Sequence, residues 1–243
     1  MPSLTLPDRL IWFAHCPKAG GTSVEQEMVA RWGDAVGHLH WGWDLWWRRG
    51  GWRVADPPNS PQHLIWSDAE AVLPRAPDAV FALVRDPVAR IASEYRWQRQ
   101  GRRGTILGKV LAYLPFSIWL RVMLAAVERH PYAFDNHLRP QGDFIPEDAV
   151  VFRLEDGLEK ALYWLAETAG ATLSAAPTPR AIATRAGTRV GPVDRALIAR
   201  AYAGDYVRFG YSAPDGICVS DWSDKLARRL VPLVTLLDRK GAL

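Results

Sequence analysis

Cysteine is nearly missing from this chain: Cys16 and Cys218 are its only two in 243 residues, and they lie far apart. They make no C-x-x-C pair, no zinc pattern and no disulfide framework, which fits a reducing compartment and a cytoplasmic protein. A long apolar run is also lacking. Val110–Leu120 is the best candidate, but it lies between Lys109 and Arg121 and contains Pro115. A spanning helix needs roughly 20 apolar residues, so no membrane span is expected and this stretch reads as a buried or interfacial helix. The opening residues carry Asp8 and Arg9 ahead of a short apolar run, unlike the charged–apolar–small order of a signal peptide. Neither sign of charge dominates: Lys+Arg 30 against Asp+Glu 26 leaves +4. That balance suits a polyanionic ligand but not the dense basic stripe of a nucleic-acid binder, so no nucleic-acid partner is expected. No repeat, low-complexity block or metal-ligand cluster appears, and no metal is expected.

The composition that is present is globular, with 49% hydrophobic and 23% charged residues. It excludes a mostly disordered chain and lets one core form without staples. The whole chain, 1–243, reads as one domain. Its elaborations are a Trp-rich insertion at 41–61, a long loop at 172–190 and a C-terminal helix at 222–243.

Leu10–Cys16 is a nearly continuous apolar run, the mark of a strand buried on both faces. Pro17-Lys18-Ala19-Gly20-Gly21 breaks it, and Thr22-Ser23-Val24-Glu25 opens a helix, with Thr22 and Glu25 spaced as a capping box. The plan recurs. Ala79–Val84 is a buried strand, and Arg85-Asp86-Pro87 leads into a helix with Asp86 as N-cap and Pro87 at the first position. Val150–Leu154 reads as a third strand before a helix near Gly157–Ala169, while Ser117–Arg129 and Val193–Val207 have helical spacing. Alternating strands and helices predict an α/β fold: a parallel sheet flanked by helices, with a P-loop-like strand–loop–helix. Ligands of such sheets gather at strand C-terminal ends, which points at Lys18 and Arg85.

Anion binding is the chemistry of the segment Pro17–Ser23. Adjacent glycines free the backbone so that successive N–H groups can converge on phosphate-like oxygens. The helix N-terminus adds its own unpaired N–H groups, Thr22 and Ser23 add hydroxyls, and Lys18 adds a mobile charge. A tight structural turn would use the same glycines. The pattern is not G-x-x-x-x-G-K-[ST], because the lysine precedes the glycines, so an ordinary nucleotide kinase is disfavoured.

His15-Cys16-Pro17-Lys18-Ala19-Gly20-Gly21-Thr22-Ser23 resembles the H-I-P-K-T-G-G-T-S loop of sulfotransferases that use 3′-phosphoadenosine-5′-phosphosulfate (PAPS), in their carbohydrate, 2-O-sulfotransferase-like branch. Val84-Arg85-Asp86-Pro87-Val88-Ala89-Arg90 with Ser93-Glu94-Tyr95 resembles the second signature, V-R-D-P-x-x-R-x-x-S-x-Y. Asn136-His137-Leu138-Arg139-Pro140-Gln141, Val151–Glu155 and Asp205–Tyr211 are weaker matches, and Ala19 departs from the usual threonine. The resemblance implies that Pro17, Lys18, Gly20, Gly21, Thr22 and Ser23 hold the 5′-phosphosulfate, while Arg85 and Ser93 hold the 3′-phosphate. It implies PAPS as cofactor, PAP as product and a hydroxyl-bearing, carbohydrate-like acceptor as partner. Lys18 would stabilise the leaving group, and His63 would take the acceptor proton, with His137, then Glu94 and the His38/His40 pair, as competitors. Arg90 stays outside the site, since Asp86 and Arg90 are spaced to pair on the helix. Two other classes remain: a kinase with an atypical loop, needing a magnesium-binding pair such as Asp86 and Asp156, and a non-catalytic anion- or glycan-binding module.

Five tryptophans at 41, 43, 46, 47 and 52 lie among His38, His40, Arg48, Arg49 and Arg53. They suit an acceptor surface or a packed flap over the core. Arg99, Arg102 and Arg103 can steer an anion or simply end a helix. Cys16 reads as a small buried hydrophobe.

Overall fold

Five strands make one sheet: β1 (Ser3–Thr5), β2 (Leu10–His15), β3 (Val36–Gly37), β4 (Ala79–Val84) and β5 (Val150–Arg153), in the order β3-β1-β2-β4-β5. They are seen in a computed structural model that describes residues 2–37, 61–73, 75–101, 113–171, 187–214 and 229–232. The chain divides into two compact units, one of Met1–Arg85 with Gln141–Ala183, the other of Asp86–Pro140 with Thr184–Leu243.

The first unit holds the sheet. All six residues of β2 are buried, as their apolar run requires of a central strand. β2 pairs parallel with β4 from Ile11↔Ala79 to His15↔Leu83, and β4 pairs parallel with β5 from Phe81↔Val150 to Val84↔Arg153. Their C-terminal ends therefore share one edge. The sheet is mixed, however, and the expected all-parallel arrangement is corrected. Ser3–Thr5 folds back on β2 as an antiparallel hairpin, closed by the Leu6 N–H donating to Arg9 O at 2.8 Å, and β3 runs antiparallel to β1. Strands of three and two residues are too short to show an alternating pattern.

Helices α1 (Gly21–Trp32), α2 (Trp66–Val72) and α5 (Leu158–Thr168) belong to this unit. Helix α5 buries Ala161, Leu162, Leu165 and Ala166 on one stripe, and its Trp164 ring lies 5.3 Å from that of Phe81 and 6.2 Å from that of Phe152. Each buried leucine of that stripe contributes about 1.5–3 kcal/mol.

The second unit is helical in its described residues: α3 (Pro87–Gly101), α4 (Phe116–Arg129), α6 (Pro192–Ala201) and α7 (Ala203–Phe209). Asp86 Oδ1 accepts from the Ala89 N–H at 2.8 Å, so the expected N-cap forms with Pro87 in first position. The continuous helix expected over 193–207 is broken at Tyr202. Its buried side chain donates a hydrogen bond to Leu138 O at 2.8 Å, and its backbone leaves the helical region. Tyr95, Phe116, Trp119, Met123, Phe134, Leu138, Ile198 and Tyr202 build the core. No described helix is long and apolar enough to cross a membrane.

Candidate active site

The loop Pro17–Gly20 leaves the C-terminal end of β2 and feeds α1. Two of its residues are left-handed: Lys18 at φ 67 and Gly20 at φ 93. Glycine takes that conformation freely, whereas a lysine there costs roughly 1–2 kcal/mol, which the surrounding structure must offset. Gly20 is fixed for a second reason. A β-carbon on it would stand 2.9 Å from Cδ1 of Leu154, the residue that follows β5.

The expected capping box does not form. Helix α1 begins at Gly21 with Gly20 as N-cap and no side-chain cap, and Thr22 is exposed. Glu25 is drawn elsewhere. It is buried, accepts a 2.6 Å hydrogen bond from His15 Nδ1 and a 2.7 Å bond from Gln62 Nε2. Burial alone would raise its pKa, but attraction to His15 and the hydrogen bonds from His15 and Gln62 outweigh burial and hold the carboxyl below its ordinary range. His63 meets the same imidazole edge-on, with ring centroids 5.2 Å apart, and is itself buried.

The first turn of α1 has no side-chain cap, and the Ser23 N–H donates to Gly20 O at 3.1 Å. The Ser23 hydroxyl is buried and has no hydrogen-bond partner among the described residues. A buried hydroxyl is ordinarily satisfied, so an acceptor-rich group seated at this helix start fits the residues present. Arg85 joins the same locality: its Nη1 donates to Lys18 O at 3.3 Å. Its backbone is held by Gln141, whose Oε1 accepts from the Arg85 N–H at 2.8 Å and whose Nε2 donates to Arg85 O at 2.9 Å. Cys16 is a buried free thiol whose Sγ donates to Gln141 O at 3.7 Å. In the sequence Gln141 stands at the end of the Asn136–Gln141 segment. Nothing in its spacing reveals a clamp on a residue 56 positions away.

A family model described as "Sulfotransferase family" matches residues 2–212. The chain belongs to the sulfotransferase family. Sulfuryl transfer is the chemistry of that family, and the α/β fold with a mixed sheet and flanking helices accords with it. No curated protein and no solved structure matches the chain. Within this sulfotransferase the structure brings Pro17, Lys18, Gly20, Gly21, Ser23 and Arg85 to the strand ends of the first unit, with His63 beside His15.

Ser93 and His137 belong to the second unit, where Ser93 is half-buried on α3. His137 Nδ1 lies 2.7 Å from Oε2 of Glu94, and its ring stacks on Trp97 with centroids 4.7 Å apart. Glu94 also accepts from Gln98 Nε2 at 2.7 Å, and Gln98 Oε1 accepts from the Trp119 indole at 3.0 Å. The turn before His137 is left-handed at three successive residues, Phe134, Asp135 and Asn136. The expected Asp86–Arg90 pair is not what Arg90 makes. Fully buried, Arg90 donates to His137 O at 3.0 Å and Arg139 O at 2.6 Å and lies over the Tyr202 ring. Two carbonyls and an aromatic face offer it more than one half-buried carboxylate. Residues 41–60 of the Trp-rich insertion, His38, His40, Arg102, Arg103 and 172–186 lie outside the described residues, as does most of 222–243.

Proposed function

We propose that the chain transfers a sulfuryl group from PAPS to a hydroxyl of a carbohydrate or glycan-like acceptor. The observation that carries this reading is Ser23: a buried hydroxyl without a partner among the described residues, in the first turn of a helix that opens directly after a lysine and a left-handed glycine. When bound, PAPS supplies the sulfuryl group and leaves as PAP. Pro17, Lys18, Gly20, Gly21, Thr22 and Ser23 are assigned to its phosphosulfate end, in a P-loop-like cradle. Lys18 stabilises negative charge on the departing bridging oxygen, in an in-line displacement governed by positioning and electrostatics. Arg85 is assigned to the 3′-phosphate, for which its planar fork is suited, and the resemblance adds Ser93.

His63 is assigned the acceptor proton, since an imidazole accepts protons near neutral pH. The Glu94–His137 contact supports a second reading, with His137 as base. A carboxylate on Nδ1–H holds the tautomer that leaves Nε2 as acceptor. No metal is assigned a role. The kinase alternative draws little support, because Asp86 caps α3 and Asp156 faces Lys160 at 3.8 Å.

Calorimetric titration with PAP, ATP and a heparin-like polymer, without magnesium, tests the donor. Micromolar PAP binding supports a sulfotransferase that uses PAPS; ATP preferred over PAP sinks it, and polymer binding alone favours a binding module. Labelled PAPS with a panel of sugars and phenols tests the acceptor, and phenols outperforming every sugar would remove the carbohydrate. The pH–rate profiles of His63→Ala and His137→Ala separate the two bases: the variant that loses both its rate and its acidic limb marks the base.

A further inference from the structure

His15 closes β2, yet its side chain faces the start of α1. One end of the ring is anchored. Nδ1 sits 2.6 Å from Oε1 of Glu25, and Gln62 donates to that same oxygen, so the Nδ1 proton goes to the carboxylate. The other end abuts Gly21. A β-carbon on Gly21 would stand 2.3 Å from His15 Nε2, 2.5 Å from Cδ2 and 2.6 Å from Cε1. The ring therefore occupies the space where a side chain of the first helical residue would be, with 4% of the residue exposed. A buried Glu–His pair is costly to desolvate and gives little net stability over a packed apolar pair, so its presence under this turn asks for another reason.

We propose that His15 is a positioning residue for the anion loop: fixed at Nδ1 by Glu25, it sets with its Nε2 edge where Gly21, and with it the N–H groups of the first turn of α1, stand. The chain Glu25–His15–Gly21 ties the second residue after the loop's hydroxyls back to the loop's own exit. Glu25 lies one turn along α1, so the clamp closes on a single helical turn and holds its pitch from the side. This rests on the reading that the turn receives the phosphosulfate of PAPS.

Two substitutions divide the ring. The amide of His15→Asn reaches the place of Nδ1 and keeps the bond to Glu25, but leaves the Gly21 edge open. The amide of His15→Gln reaches the place of Nε2 and refills that edge. PAP affinity is read by calorimetry, backbone hydrogen exchange over 17–23 by mass spectrometry, and folding by thermal melting. His15→Asn should fold, exchange faster over 17–23 but not over β2 or β4, and bind PAP about 10-fold more weakly, the scale of one lost hydrogen bond to a charged group. His15→Gln refills the edge but lacks the Nδ1 anchor, so it should recover part of that affinity and no more. His15→Asn with wild-type PAP affinity and wild-type loop exchange overturns the inference. If His15→Asn does not fold, Glu25→Gln serves: it weakens the anchor while keeping its shape, and unchanged exchange over 17–23 overturns the inference equally. Failure of the wild type to bind PAP would sink the donor reading instead, and loop exchange, which needs no ligand, would then decide the role of His15 alone.

Discussion

The side-chain amide of Gln141 pairs with the backbone of Arg85 as a neighbouring strand would, accepting from its N–H at 2.8 Å and donating to its carbonyl at 2.9 Å. Arg85 is the first residue after β4, so the clamp takes over from sheet pairing where the strand stops. Gln141→Ala leaves both groups short of a partner and should cost about 1–3 kcal/mol in urea denaturation. It should also weaken PAP binding, because the Arg85 side chain loses its fixed root. Unchanged stability and PAP affinity would show that the clamp holds nothing.

Lys18→Ala should leave the fold intact and lower transfer on the order of 100-fold or more, the scale on which one charge contact to a transition state acts. Near-parental turnover with an identified acceptor would remove the role given to Lys18.

Arg85→Ala should weaken PAP more than adenosine 5′-phosphosulfate, which has no 3′-phosphate. The comparison needs only equilibrium titrations. Equal losses for the two ligands would mean that Arg85 does not read that phosphate.

Asp78 couples acidity to the start of the sheet. Its Oδ2 accepts from Arg75 and from the Leu10 N–H, both at 2.6 Å, and these hydrogen bonds, Arg75's first, bring its pKa from 3.8 to about 2. The carboxyl is more acidic folded than unfolded, so its contribution to stability is complete above about pH 4 and is lost as pH falls towards 2. Asp78→Asn should flatten the pH dependence of the melting temperature in that window. An unaltered slope would contradict the assignment.

Arg90→Lys should destabilise the second unit by about 2 kcal/mol or more, since one ammonium cannot serve the carbonyls of His137 and Arg139 as a planar fork does. Chemical denaturation reads this directly. A variant as stable as the parent would make the buried guanidinium dispensable.

The strands that carry the site were legible because each is a short unbroken apolar run ending in a turn signal, as in Leu10–His15 and Ala79–Val84. The Asp86-Pro87 helix start was equally plain, since capping is local chemistry. What escaped was set by distance. Glu25 has capping-box spacing from Thr22, but a buried imidazole six residues before the helix start competes for it and wins. The Asp86–Arg90 spacing predicted a pair, and carbonyls nearly fifty residues away took the guanidinium instead. Ser3–Thr5 is too brief to announce a strand at all.

The loop proposed to bind the anion is finished by remote parts of the chain. Leu154 backs Gly20, and Cys16 meets Gln141 across 125 positions of sequence. The β1–β2 hairpin, by contrast, closes over a few residues, whereas joining Leu10 to Asp78 closes a loop of 68. The long closure costs more loop entropy than the hairpin and comes more slowly. A nascent or partly folded chain that has made β1, β2 and α1 but not yet docked β5 therefore carries every residue of the loop motif without its supports. Under the proposed donor reading, binding and completion of the sheet are linked, and PAP should act on this chain as a folding aid that favours molecules whose last strand is in place.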